Sequence, residues 1–371
     1  MTSMDVSQQT IAQALNVSVA TVSRSLRNHP AISSETRARV AEAAMRLGYK
    51  VPDGRTITRG RPRRDNGRAG GQNFTSLGLA HLAVICQGGA RPDSAHFVVQ
   101  FRILQGMSAA ARAHHATLHI EYLSDEEFNS LPAPATWPAV LREKFVSGVI
   151  LLGTPRPETV AALEKVLPCI CFQRSAGAME IDTVSEDNYN SMCQLFTHLM
   201  QLGHRRIGMV DFGYRSHSYR ARLGAFMQCL LEWNLPVECE DFIFPGRDDL
   251  LPEEAKAAPA AEHVIARRRA AAVTAWICQN DYQGYLLLRH LHKSGLRVPE
   301  DISLCGFDHF PPPEGLAPLT SIDGAFEAMG SAAISRLLAR IKSPTMEPAN
   351  ILLNTNLCLG KSTGPAAVEK T

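Results

Sequence analysis

From about Leu77 onward the chain alternates short apolar runs with amphipathic stretches, and this alternation restricts its fold more than any other feature. The runs fall at Leu82–Cys86, Leu118–Tyr122, Gly148–Leu152, Cys169–Phe172, Ile207–Val210, Ala275–Cys278 and Ile302–Gly306. Most are apolar throughout, as strands covered on both faces must be. Between them, helical spacing places helices at about residues 98–114, 188–202, 218–232 and 283–294, and the Ala-rich, charged stretch 253–271 reads as a further solvated helix. Strand–helix alternation builds parallel sheets with helices on both faces. Two such units leave a crevice at the carboxyl ends of their strands, where ligands bind. The expected class is therefore α/β, with two doubly wound parallel sheets forming a two-lobed body.

The first 68 residues are different. They hold twelve Lys and Arg against five Asp and Glu, a net +7, which leaves −5 for residues 69–371. A basic head on an acidic body is the asymmetry expected when one end meets a polyanion. A merely solubilising tail would lack apolar residues. This head carries Ile11, Ala14, Leu15, Val17, Val22, Leu26, Ile32, Val40, Ala44 and Leu47 at helical spacing, enough for a small core.

Three short helices fit the head. Ser7 is placed as the N-cap of a helix running to about Leu15, and Asn16-Val17-Ser18 breaks it. Ser18 then caps a second helix, residues 19–26, with Val22 and Leu26 inward and Val19, Ala20, Ser23 and Arg24 outward. A third helix begins at Ser33 or Ser34 and ends near Leu47, before Gly48. Two helices joined by a tight turn, with a polar face exposed on the second, make a helix-turn-helix.

The run IAQALNVSVATVSRSLRNHPAISSETRARVAEAAMRLGY resembles the headpiece of the lactose-repressor (LacI/GalR) family of bacterial transcription regulators. Further pieces follow in that family's order: VSGVILLGTP, HLMQLGHRRIGMV, RARLGAF, WICQNDYQGY, LRVPEDISLCGFD and LTSID. The resemblance implies a body folded like periplasmic sugar-binding proteins, with three crossings between lobes. It also implies that residues 19–26 lie in the DNA major groove. Val19 and Ala20 would make apolar contacts with base edges, while Arg24 suits a bidentate contact with guanine. Ser18, Thr21, Ser23, Ser33 and Thr36 would bind phosphates, fixing register without reading sequence.

Members of that family follow the headpiece with a hinge helix carrying a leucine that wedges the minor groove. Here residues 51–67 hold Gly54, Gly60 and Pro62 and no leucine, a poor helix former. The segment instead contains Arg59-Gly60-Arg61-Pro62 followed by Arg63-Arg64, which resembles an AT-hook core. A narrow A·T minor groove concentrates negative potential and attracts arginine, so this segment is expected in the minor groove; the bland reading is a basic linker touching phosphates.

Carried across by motif, the effector cleft takes Arg222 from RARLGAF, Asn280 from CQND and Asp308 from GFD, with Phe97 as an apolar wall. Carboxylate and amide oxygens with an arginine fork suit vicinal hydroxyls. Each has a plainer reading: Asp308 capping a loop, Asn280 holding a strand–helix turn, Arg222 pairing with an acid. Where relatives often place an Asp after the 169–172 strand, this chain has Gln173-Arg174, and Arg215 and Arg220 lie near the expected cleft mouth. These allow a sugar acid or phosphorylated sugar as effector beside a neutral sugar.

The expected organisation is a DNA-binding headpiece at 1–50, a basic linker at 51–76, a body at 77–361 and a disordered tail at 362–371. Lobe 1 is assigned about 77–187 and 319–345, lobe 2 about 188–318 and 346–361. No run approaches the roughly 18 apolar residues of a membrane helix, and MTSMDVSQQT lacks a secretory pattern, so the cytoplasm, at the bacterial nucleoid when DNA-bound, is expected. The nine cysteines form no CxxC and read as reduced. No GxSxG, HExxH, P-loop or GxGxxG occurs; no enzyme, cofactor or metal is expected, and His204 reads as a turn residue. The function expected is a transcriptional regulator, a repressor in the first instance, binding a pseudo-palindromic operator as a homodimer under control of a small effector. A small-molecule receptor or an activator on the same fold is the alternative.

Overall fold

A computed structural model describes residues 8–15, 17–19, 21–22, 36 and 40 of the head, and 80–88, 95–172, 181–212, 217–244, 252–271 and 273–367 of the body. The chain divides into two compact units, Met1–Gln72 and Asn73–Thr371. In the first, α1 spans Gln8–Leu15 and ends where the Val17 amide donates to the Ala12 carbonyl at 3.0 Å. The Ser18 hydroxyl then accepts from the Thr21 amide at 3.0 Å, and the Val22 amide donates to the Ser18 carbonyl at 3.1 Å, opening a second helix. Ala12, Val22 and Val40 are buried, while Val19 faces outward.

The second unit holds two six-stranded sheets. In the first, β1 (His81–Gln87), β2 (Thr117–Leu123), β3 (Gly148–Leu152), β4 (Cys169–Phe172), β5 (Asp182–Glu186) and β11 (Asn350–Leu353) run parallel in the order β11-β5-β4-β3-β1-β2. Successive side chains enter opposite cores, as the strand period of two requires. Leu82, Val84, Ile150 and Leu152 pack on α2 (Ala95–Ala113) and α10 (Phe326–Lys342). Ala83, Ile85, Val149 and Leu151 pack instead on α3 (Asp125–Ser130), α4 (Ala139–Arg142) and α5 (Pro157–Glu164). Each fully buried Val, Leu or Ile contributes about 1.5–3 kcal/mol by leaving water. Among them α2 and α10 pack closest, because a Cβ on Gly106 would meet the Glu327 carbonyl and one on Gly330 the Ile103 carbonyl.

The other sheet has the order β12-β10-β9-β8-β6-β7, from β6 (Ile207–Val210), β7 (Phe242–Ile243), β8 (Ala275–Cys278), β9 (Ser303–Phe307), β10 (Thr320–Asp323) and β12 (Asn356–Cys358). Only the β10–β12 pair in it is antiparallel. α6 (Asn188–Gln201) and α7 (His217–Glu232) cover one face, α8 (Glu253–Ala271) and α9 (Asp281–Lys293) the other.

The chain crosses between lobes three times, after β5, after β10 and after β11. The second and third crossings correct the expected boundaries at 319 and 346. Residues 320–323 pair with β9 and stay in the second sheet, and 350–353 pair with β5 in the first. The expected disordered tail is also corrected over 362–367. Ser362 is buried, its hydroxyl accepting from the Thr320 amide at 2.8 Å, and the Ala366 amide donates to the Leu202 carbonyl at 2.8 Å. These two hydrogen bonds, one of them to a buried hydroxyl, fix this segment against lobe 2 despite its Gly and Ser content.

Candidate functional site

Both sheets end their parallel strands toward the space between lobes. Glu186 closes β5 of the first lobe, while Gln279 and Asn280 follow β8 and Asp308 follows β9 of the second. α7 carries Arg222 into this space, 3% exposed. Its Nη2 donates to Glu186 Oε1 at 2.7 Å and to Asp308 Oδ1 at 2.9 Å; its Nη1 donates to the Gln279 carbonyl; its Nε reaches Asn188 Oδ1 at 3.3 Å. The guanidinium also lies 4.2 Å from the centre of the Phe307 ring, a cation–π contact.

The electrostatics follow from burial. Burial alone would lower the Arg222 pKa, but Glu186 and Asp308 override it and raise it, so the guanidinium stays charged. Glu186 is pushed upward by loss of water and by the Asp308 charge, with Arg222 pulling the other way. The group thus holds one cation between two acids from opposite lobes.

Asn280 occupies the N-cap of α9, where its Oδ1 accepts from the Gln283 amide at 2.9 Å and its Nδ2 donates to the Tyr219 hydroxyl. Asp308 sits at φ 89° and His309 at φ 50°, a left-handed pair that turns the chain sharply after β9. Its neighbour Asp281 is buried and raised in pKa chiefly by desolvation, and it accepts from the Phe310 amide at 2.8 Å, holding that turn. The structure therefore brings Arg222, Asn280 and Asp308 together. Glu186, Asn188 and Tyr219 complete the group and were not singled out from the sequence.

The Phe97 backbone lies in α2, but its side chain is outside the described residues, as are Gln173, Arg174 and Arg215. Arg220 is exposed on α7. Of the DNA-contact set, Ser18, Val19, Thr21 and Thr36 are described, whereas Ala20, Ser23, Arg24, Ser33 and Arg59-Gly60-Arg61-Pro62 lie outside. Ser18 and Val19 are exposed and Thr21 and Thr36 half-buried. His204 directly follows the turn that ends α6, and it is buried there, bonded to Thr274 at 2.8 Å, Ser303 at 3.0 Å and the Gly364 carbonyl at 3.1 Å. Among the described residues no group of three or more His, Cys, Asp or Glu is arranged to hold a metal, and no helix is long and apolar enough to cross a membrane.

The profile of bacterial regulatory proteins of the lacI family matches residues 8–52, and that of the periplasmic binding protein-like domain matches residues 196–363. The chain carries a LacI-family DNA-binding domain and a periplasmic-binding-protein-like domain. Two LacI-family relatives span nearly the whole of it. The HTH-type transcriptional regulator AglR of Rhizobium meliloti (strain 1021) is 29% identical, covering 98% of this chain and 96% of its own. The HTH-type transcriptional repressor CytR of Escherichia coli (strain K12) is 25% identical, covering 95% of each. Among solved structures, a transcriptional regulator CelR–cellobiose complex superposes with a TM-score of 0.63 at 23% identity, over 96% of this chain and 99% of that one. The Lac repressor dimer bound to operator and the anti-inducer ONPF gives 0.62 at 21% identity, over 97% and 99%. The protein is accordingly a DNA-binding transcriptional regulator, and its relatives are regulators, not enzymes.

Proposed function

We propose that the protein is a cytoplasmic repressor that binds a pseudo-palindromic operator as a homodimer and releases or grips it according to an uncharged polyhydroxylated effector, a sugar, held between the lobes. Arg222 carries this reading, through its pairing with Glu186 of one lobe and Asp308 of the other. A guanidinium already balanced by two carboxylates offers an incoming anion little attraction, and the spare carboxylate charge repels it. Hydroxyl groups, in contrast, donate to carboxylate oxygens and accept from guanidinium N–H groups without adding charge. This favours a neutral sugar over the sugar acids and phosphorylated sugars that the sequence allowed. The solved complexes of relatives with cellobiose and ribose support the ligand class.

On the DNA side, Val19, Ala20 and Arg24 read the major groove, and Ser18, Thr21, Ser23, Ser33 and Thr36 hold phosphates. Arg59, Gly60, Arg61 and Pro62 enter the minor groove at the operator centre. One headpiece buries too little surface for useful discrimination, so two half-sites are needed. Effector binding changes DNA affinity only by as much as the effector prefers one lobe arrangement over the other.

Selection of random duplexes by fluorescence anisotropy, followed by sequencing, tests both ends. A palindromic site with an A·T-rich centre, relaxed at that centre by Arg59→Ala/Arg61→Ala, is the expected result. The enriched site is then titrated against neutral sugars, sugar acids and phosphorylated sugars. Failure to enrich a palindrome overturns the dimeric operator, and a response confined to anions overturns the ligand class.

A further inference from the structure

The thiols of Cys193 and Cys229 approach to 3.8 Å between their sulfurs, across the packed pair α6 and α7. Cys193 is half-buried and open to small oxidants, whereas Cys229 is fully buried. We propose that these two cysteines form a reversible disulfide that ties α6 to α7. A disulfide needs its sulfurs at about 2.05 Å, and the remaining gap of under about 2 Å is within reach of side-chain rotation and a small helix adjustment.

The placement of the pair gives the bond a consequence. Cys229 lies two helical turns after Arg222 on the same side of α7, and Asn188, at the start of α6, accepts from Arg222 Nε at 3.3 Å. Tyr189 of α6 also donates its hydroxyl hydrogen to Glu232 of α7. On α7 Cys229 lies between Arg222 and Glu232, while on α6 both polar contacts come from the first turn, Asn188 and Tyr189, one turn before Cys193, so a covalent link there restrains the helix that presents Arg222.

The chemistry balances with a peroxide as oxidant. The Cys193 sulfur attacks one peroxide oxygen, the O–O bond breaks, and a sulfenic acid and one water result. The Cys229 sulfur then attacks the sulfenic sulfur, the S–O bond breaks, and a second water leaves with the thiol proton. Two thiols are oxidised and one hydrogen peroxide is reduced to two waters; a cellular dithiol returns both thiols. Burial raises the Cys229 pKa, which makes Cys193 the first sulfur oxidised and slows the second step. Proximity offsets part of that cost by making the closure intramolecular.

The test uses the full-length protein carrying Cys239→Ser, which removes the exposed thiol at Cys239. It is treated with hydrogen peroxide, with a dithiothreitol-reduced sample as control. Expected are loss of two titratable thiols, a mass decrease of about 2 Da, and a non-reducing peptide map joining the peptides of Cys193 and Cys229. Dithiothreitol should restore both thiols, Cys193→Ser should leave Cys229 free, and amide exchange in α6 and α7 should slow only in the oxidised parent. Retention of all thiols at these two positions, accumulation of sulfinic acid at Cys193, or pairing of either with another cysteine overturns the proposal.

Discussion

Arg222 and Glu186 belong to different lobes and meet at 2.7 Å with both side chains all but withdrawn from solvent. An ion pair so placed contributes little net stability by itself, since desolvation consumes most of its attraction. Removing one partner is another matter. Arg222→Leu strands Glu186 and Asp308 as unbalanced buried acids and should cost about 3–5 kcal/mol in chemical denaturation. Glu186→Gln keeps the neutral acceptor and should cost less than half as much, while altering the response of DNA binding to effector.

The same logic applies to Asp182. It is buried and accepts from Arg336 Nε at 2.7 Å, Arg340 Nε at 2.8 Å and the Ala349 amide at 2.8 Å, joining α10 to the β5–β11 edge. Asp182→Ala leaves two arginines facing one another and should lower stability by about 3–5 kcal/mol, read from the urea midpoint. Asp182→Asn should fall between that variant and the parent.

His204 sets a limit on acid stability. Burial pushes its pKa down to about 4, against an ordinary value of 6.5, and the hydrogen bond to the Gly364 carbonyl offsets only part of that loss of water. The unfolded state therefore binds a proton that the folded state refuses. Its contribution is present in full above pH 6.5 and is lost as pH falls from 6.5 toward 4. The parent should lose on the order of 2 kcal/mol more than His204→Gln over that interval, measured as the difference in thermal midpoint between pH 7 and pH 4.5.

The α2–α10 crossing should be intolerant of any side chain. A Cβ at Gly106 would lie 1.9 Å from the Glu327 carbonyl oxygen and one at Gly330 2.0 Å from that of Ile103. Backbone cannot move aside as a flexible side chain does. Gly106→Ala or Gly330→Ala should therefore destabilise by about 1–3 kcal/mol or more, even though alanine is the better helix former. Circular dichroism melts would decide it.

In the headpiece, Ser18→Ala removes the acceptor for the Thr21 amide and should cost about 1 kcal/mol of headpiece stability. Ser18→Asp retains the cap yet sets a negative charge toward phosphate. If Ser18 contacts DNA, the aspartate variant should bind operator less tightly than the alanine variant at equal folded fraction. Equal affinities would confine Ser18 to capping.

The strands that could be read directly are those whose burial is apolar on both faces. β3, β4, β6 and β8 start and stop where the apolar runs Gly148–Leu152, Cys169–Phe172, Ile207–Val210 and Ala275–Cys278 do. β5, in contrast, is buried at every position although Asp182, Thr183, Ser185 and Glu186 make it polar. Its polar groups find partners far away in sequence, Asp182 in Arg336 and Arg340, Thr183 in Asn350, Glu186 in Arg222. Local pattern cannot register such compensation, so nothing in the sequence around Glu186 marks it. α10 has no capping side chain at its start, where Ala325 stands at φ 52°, so no local signal marks where it begins. Arg222, Asn280 and Asp308 were found through motifs, whereas Tyr219 and Asn188 carry no motif and are recruited only by packing.

Three separate chain passages, after β5, β10 and β11, join the lobes, and Arg102 of lobe 1 clasps both Asp323 and Glu327 on either side of the middle one. Two bodies tied at a single point can twist, tilt and swing independently. Tied at three, they lose part of that freedom. Whatever small molecule settles between them can act on the DNA only through the lobe arrangements that the three ties allow. A cleft of this construction can exchange its ligand chemistry by substitution without requiring any change in the signal it sends.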